Sequence, residues 1–106
     1  MAFQLQDKRA AFEGICHRYR VARLELFGSA TTDEFDPNAS DLDLLVRFQP
    51  ADVGGERLDA FQRYFGLKED LESLFARKVD LVMEGAPKNP YFIKAMDESR
   101  QLLYAA

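Results

Sequence analysis

The 106 residues carry 14 Lys+Arg against 18 Asp+Glu, a net charge of −4, with 47% hydrophobic and 12% aromatic content and a single cysteine. That size and apolar content fit one folded domain over residues 1–106 and exclude a disordered chain or a two-domain enzyme, since domains commonly run about 100–150 residues. The acidic balance argues against nucleic-acid backbone as a direct partner, and lone Cys16 excludes an internal disulfide or a Cys-rich zinc site. No apolar stretch approaches the ~18 residues of a membrane span, and the start MAFQLQDKRA lacks a signal-peptide run, so a reducing cytoplasm is the expected location.

Residues 3–19 place Leu5, Phe12, Ile15, Cys16 and Tyr19 at helical spacing, which predicts a first helix with His17 on its surface and Cys16 in its core. Residues 24–27 are short, apolar and stopped by Gly28-Ser29, a strand ending in a turn. Residues 30–40 read as a short helix or loop followed by a turn. From 41 to 48 the pattern alternates: Leu42, Leu44, Val46 and Phe48 share one face of a strand, and Asp41, Asp43, Leu45 and Arg47 share the other.

Pro50, Gly54 and Gly55 break the chain before a second helix over 56–76, where Leu58, Phe61, Phe65, Leu71, Leu74 and Phe75 form the expected buried stripe and Glu69, Asp70 and Glu72 a solvated face. Gly66 divides that helix or weakens it. A third strand over 78–83 puts Val79, Leu81 and Met83 on one face and Asp80 and Val82 on the other. Asn89 suits a helix N-cap with Pro90 at the first helical position; Tyr91 and Phe92 in this helix suit core or partner contact equally. Residues 101–104 are apolar enough to dock as an edge strand or a last turn. Strands separated by helices indicate an α/β (α+β) fold, a small mixed β-sheet of three to four or more strands flanked by helices.

Three aspartates stand where strands normally place apolar side chains. Asp41 and Asp43 project from one strand face with backbones ~6.6 Å apart, and Asp80 joins them if its strand is a neighbour. Carboxylates so grouped repel unless a cation neutralises them, and an all-oxygen set favours Mg²⁺ or Mn²⁺ over zinc. Gly28-Ser29, closing a strand and opening a turn, offers close backbone approach and N–H and hydroxyl donors, a seat for an anion. Phosphate donors beside metal-binding carboxylates describe a nucleoside triphosphate site.

The run LELFGSATTDEFDPNASDLDLLVRF at 24–48, with KVDLVMEG at 78–85 and the ending SRQLLY, resembles the minimal nucleotidyltransferases (MNT) of the DNA polymerase β superfamily, the antitoxin component of HEPN/MNT toxin–antitoxin systems. Gly28-Ser29, Asp41-Leu42-Asp43 and Asp80 match that family's signature. Ala30 stands where many relatives place arginine, and eleven residues rather than ten separate Ser29 from Asp41; Arg23 and Arg47 are the other nearby cations.

The resemblance implies a polymerase-β-like nucleotidyltransferase fold and a Mg²⁺-dependent adenylyltransferase using two ions and ATP. Asp41, Asp43 and Asp80 would be catalytic and metal-binding, and Gly28 and Ser29 nucleotide-binding. The implied partner is a HEPN-domain toxin, in a hetero-oligomer, whose tyrosine receives AMP and which is thereby silenced. Two other readings stay open: an antitoxin that neutralises its partner by binding alone, and an orphan nucleotidyltransferase acting on a small molecule or RNA end.

Overall fold

The computed structural model describes residues 5–31, 41–50 and 60–106. Helix α1, Arg9–Arg18, follows a 3-10 turn at Gln6–Lys8 and buries Phe12 and Cys16, one helical turn apart. It is shorter than the 3–19 span that the spacing predicts, and residues 1–4 lie outside the described residues. Burial, with the nearby Glu13 charge, pushes the Cys16 thiol up to about 12, so it is an inert core residue; His17 is exposed, as expected.

Four strands form one sheet: β1 (Val21–Phe27), β2 (Leu42–Phe48), β3 (Val79–Met83) and β4 (Gln101–Ala105), in the order β3-β2-β1-β4. Strand β1 is antiparallel to both neighbours, whereas β2 and β3 are parallel. The first strand begins earlier than its apolar run suggests. A bulge between Val21 and Arg23 turns Val21 onto the same buried face as Leu24 and Leu26. The tail becomes an edge strand on β1.

The parallel β2–β3 pair requires a crossover, which α2 (Ala60–Phe75) supplies. Helices α1 and α2 cover one face of the sheet, where Phe12, Cys16, Leu67, Leu71 and Phe75 pack on Leu24, Leu26, Leu42, Leu44, Val79 and Leu81. On the other face α3 (Pro90–Ser99) packs its buried Met96 into a smaller cluster with Phe27 and Leu45, with Val82 against it. Asn89 caps α3 as predicted, its side chain accepting from the backbone N–H groups of Tyr91 (2.9 Å) and Phe92 (3.4 Å). Among the described residues no helix is long and apolar enough to cross a membrane.

Helix α2 departs from its predicted stripe. The buried positions are Arg63, Leu67, Leu71 and Phe75, four apart, while Phe61 and Phe65 are 69% and 43% exposed. Arg63 enters the stripe because its head group is satisfied there: it donates to the Gln49 carbonyl at 2.7 Å and lies over the Phe48 ring at 5.2 Å. The predicted solvated face is also engaged. Asp70 accepts from Tyr19 (2.9 Å) and Arg18 (3.1 Å), and Glu72 accepts from Lys68 (3.1 Å) and from the Val79 N–H (2.9 Å). Leu58 and the predicted start of this helix fall among residues 51–59, outside the described residues.

Gly66 neither divides nor ends α2. A Cβ at that position would meet Tyr19 Cε1 at 2.4 Å, so the glycine makes room for the ring whose hydroxyl binds Asp70. Gly66→Ala should therefore fail to deliver the ~1 kcal/mol that helix propensity promises, because the displaced ring loses a hydrogen bond of similar worth. In a Tyr19→Ala background the same substitution should stabilise by about that amount. Urea unfolding of the four proteins checks both.

Candidate active site

Strand register assembles the site. Phe27 of β1 pairs with Asp43 of β2, and Asp43 pairs with Asp80 of β3, so the three form one row across the sheet. Neighbouring strands lie about 4.8 Å apart, which brings the Asp43 and Asp80 carboxylates together on the α3 side. Asp43 emerges on that face because Leu42 and Leu44 on either side of it are fully buried on the other. A cleft of about 330 Å³ runs over the row, lined by Phe27, Asp43, Asp80, Leu81, Val82 and Phe92, and by Tyr64 and Lys68 of α2 where it passes the edge of the sheet.

Asp43 carries the electrostatic strain of this arrangement. Burial, then the charge and hydrogen bonding of Asp80, then the charge of Asp41, push its carboxyl up to about 6. Asp41 sits differently from the sequence expectation. It is exposed and precedes β2, whose ladder begins at Leu42, where the N–H donates to the Lys78 carbonyl at 3.0 Å. Among the described residues no three His, Cys, Asp or Glu side chains form a closed group that could hold a metal ion. The row therefore joins Asp43 to Asp80, while Asp41 acts on Asp43 through its charge.

Gly28 starts a 3-10 turn, Gly28–Thr31, at the end of β1. Its φ of +75° suits glycine, and a Cβ there would stand 2.6 Å from Asp43 Oδ2. Its N–H donates to the Ser99 hydroxyl at 2.9 Å, and its carbonyl accepts from Thr31 Oγ1 at 2.8 Å. Ser29 follows in the same turn.

Glu25 stands outside any local pattern, since a charge between Leu24 and Leu26 looks like a solvent-facing residue. It is 3% exposed and paired with Arg100 and, at 2.5 Å, Arg23. Those hydrogen bonds, Arg100 foremost, hold its carboxyl below the usual carboxylate range. With Ser99 on Gly28 and Arg100 on Glu25, the end of α3 is fastened to β1 at two points. Arg23 is thereby engaged away from the aspartate row, and Arg47 is exposed.

Paired strand carboxylates beside a glycine turn, in an open cleft, suit a cation and a phosphate group together. The nucleotidyltransferase domain family matches residues 8–103, and the chain belongs to that family and is a nucleotidyltransferase. It is 38% identical over 81 residues, 76% of this chain and 74% of the relative, to a Methanocaldococcus jannaschii protein named "Putative protein adenylyltransferase MJ0128". A solved "putative minimal nucleotidyltransferase" is 31% identical, with 92% of this chain and 90% of that one covered and a TM-score of 0.66. The complex of a tri-AMPylated Shewanella oneidensis HEPN toxin with its MNT antitoxin shares the fold at 17% identity, covering 97% of this chain and 74% of that one, with a TM-score of 0.61. The four-stranded mixed sheet and the three α-helices seen among the described residues match the polymerase-β-like nucleotidyltransferase fold.

Proposed function

We propose that this protein transfers AMP from ATP to a hydroxyl, a tyrosine of a HEPN-domain toxin, and so acts as its antitoxin. The observation that carries the reading is the Asp43–Asp80 pair held in register beside Gly28, within a nucleotidyltransferase whose relative bears an adenylyltransferase name. In the reaction the acceptor oxygen forms a bond to the α-phosphorus, the bridging bond to the β-phosphate breaks, and pyrophosphate leaves with the electron pair.

The residues suit a hard divalent cation. Asp43 is pushed up to about 6 by its buried, like-charged surroundings, a conflict that a cation removes, and carboxylate oxygens are the donors Mg²⁺ prefers. Asp41, Asp43 and Asp80 would hold it. When bound, Mg²⁺ neutralises charge on the phosphate oxygens. Asp80, at the outer end of the row, takes the proton of the acceptor hydroxyl. The turn at Gly28 and Ser29 receives the triphosphate, and Gly28 leaves room for the Asp43 carboxylate beneath it.

The test is the intact mass of a HEPN-domain partner after incubation with ATP and Mg²⁺. Wild type should add one or more nucleotide masses, and Asp41→Asn should add none while still co-purifying. Equal silencing of the partner with no mass gain from either protein would instead establish an antitoxin that works by binding alone.

A further inference from the structure

We infer that the acceptor protein docks over the free edge of β3, seating apolar side chains on an exposed stripe of α2; the inference rests on the transfer reading above. Four residues of α2, Phe61, Phe65, Lys68 and Glu72, recur at intervals of four, three and four and so line one face of the helix. That face runs along β3. Glu72 accepts from the Val79 N–H and the Tyr64 hydroxyl donates to the Leu81 carbonyl, so α2 travels backwards as β3 advances. One helical turn beyond Tyr64 stands Phe61, and two residues beyond Leu81 stands Met83, exposures of 69% and 41% respectively. Phe65, 43% exposed, packs against Phe61 with ring centroids 4.5 Å apart and edge-on against Tyr64 at 5.0 Å. Because Tyr64 and Lys68 also line the cleft, the exposed Phe61–Phe65 patch connects through them with the aspartate row.

Its occupant follows from the order of groups across the sheet. The glycine turn lies at the end of β1, Asp43 on β2, Asp80 on β3, and then comes the edge. In an in-line displacement the attacking and leaving oxygens stand on opposite sides of the phosphorus. With the triphosphate at the glycine turn, the acceptor arrives from the far side, past Asp80. The edge is partly capped against an added strand: Val79 N–H is held by Glu72, the Leu81 carbonyl by Tyr64 and the Met83 carbonyl by the Ala86 N–H, half of the groups these three residues turn outward. A partner binds here chiefly through side chains, and aromatic residues such as the exposed Phe61 and Phe65 are the usual anchors of such contacts. A nucleic acid is disfavoured, since Lys68, the stripe's one cation, is already paired with Glu72.

The experiment compares wild type, Phe61→Ser, Phe61→Ser/Phe65→Ser and Leu102→Ser, the last an exposed apolar residue on the opposite edge strand. Steady-state transfer to a HEPN-domain acceptor is measured beside Kd for a nonhydrolysable ATP analogue with Mg²⁺. The double variant should raise KM for the acceptor by roughly tenfold or more, the loss of two interface anchors, with kcat and the nucleotide Kd within about twofold of wild type. Phe61→Ser, at the most exposed position, should show part of the effect, and Leu102→Ser none. An unchanged acceptor KM, an equal loss of nucleotide affinity, or an effect confined to Leu102→Ser would overturn the docking face alone. So would a loss seen only for transfer to an oligoribonucleotide end. Wild type that modifies no HEPN-domain protein would overturn the transfer reading, and this inference with it.

Discussion

Asp43→Asn should abolish transfer and, in the same protein without Mg²⁺ or nucleotide, raise stability at pH 7. Under the proposed function Asp43 would be a ligand of Mg²⁺, and a metal contributes several kcal/mol of charge stabilisation in the transition state, so its loss should lower kcat/KM by roughly a thousandfold. The stability change has the opposite sign. Burial and the Asp80 and Asp41 charges push the folded-state Asp43 carboxyl up to about 6 from the ordinary 3.8. The native state thus binds a proton more tightly than the unfolded chain, and stability falls as pH rises from about 4 through about 6, then levels. Two units correspond to a ceiling of ~3 kcal/mol, and solvent contact at this partly exposed site reduces that to about 1 kcal/mol. Asn keeps the shape without the charge. The variant should therefore melt about 4–8 °C higher than wild type at pH 7, with little difference at pH 4. Calorimetric scans at both values check this; a difference that does not change with pH would show that the aspartate pair stores no electrostatic strain.

Gly28→Ala should be nearly as damaging, through shape rather than charge. The residue sits at φ +75°, where an L side chain costs about 1–2 kcal/mol, and its new methyl would stand 2.6 Å from Asp43 Oδ2. Relief requires the carboxylate to move or the turn to shift, and the turn is tied to Ser99 through the Gly28 N–H. A displacement on the order of 1 Å in a catalytic group is worth about a hundredfold in rate. We expect that loss in kcat together with a destabilisation of about 1–2 kcal/mol. Gly14→Ala is the matched control: nothing lies within 4 Å of its Cβ position in α1, so it should stabilise slightly and leave kcat alone.

Much of this architecture could be read from local pattern. The alternation of Leu42, Leu44 and Val46 against Asp43 fixes a strand and the face of its aspartate, and Asn89-Pro90 announces a helix start. Pairing between strands is a tertiary fact, so the Asp43–Asp80 register had to come from the fold, with the family resemblance anticipating it. Leu45 is buried although its face carries the aspartates, because α3 covers that side too. A chain-order reading had no way to place that helix. Helix α2 misled more seriously: Phe61 and Phe65 look like core, Arg63 like surface, and the reverse holds, since a distant carbonyl and the Phe48 ring solvate the guanidinium. Glu25 escaped notice for the same reason, its partners being an arginine two residues away and another 75 residues on.

The two sides of the sheet are unequally furnished among the described residues, with α1 and α2 over a broad apolar layer and Met96 of α3 packed on the small set Phe27, Leu45 and Val82. Folding free energy is thus concentrated on the face opposite the Asp43–Asp80 row. A laboratory library that randomises Val82 and Phe92 would explore new acceptors or nucleotides while drawing little on the layer that keeps the polypeptide folded, so altered specificity should arise here without the usual penalty in solubility.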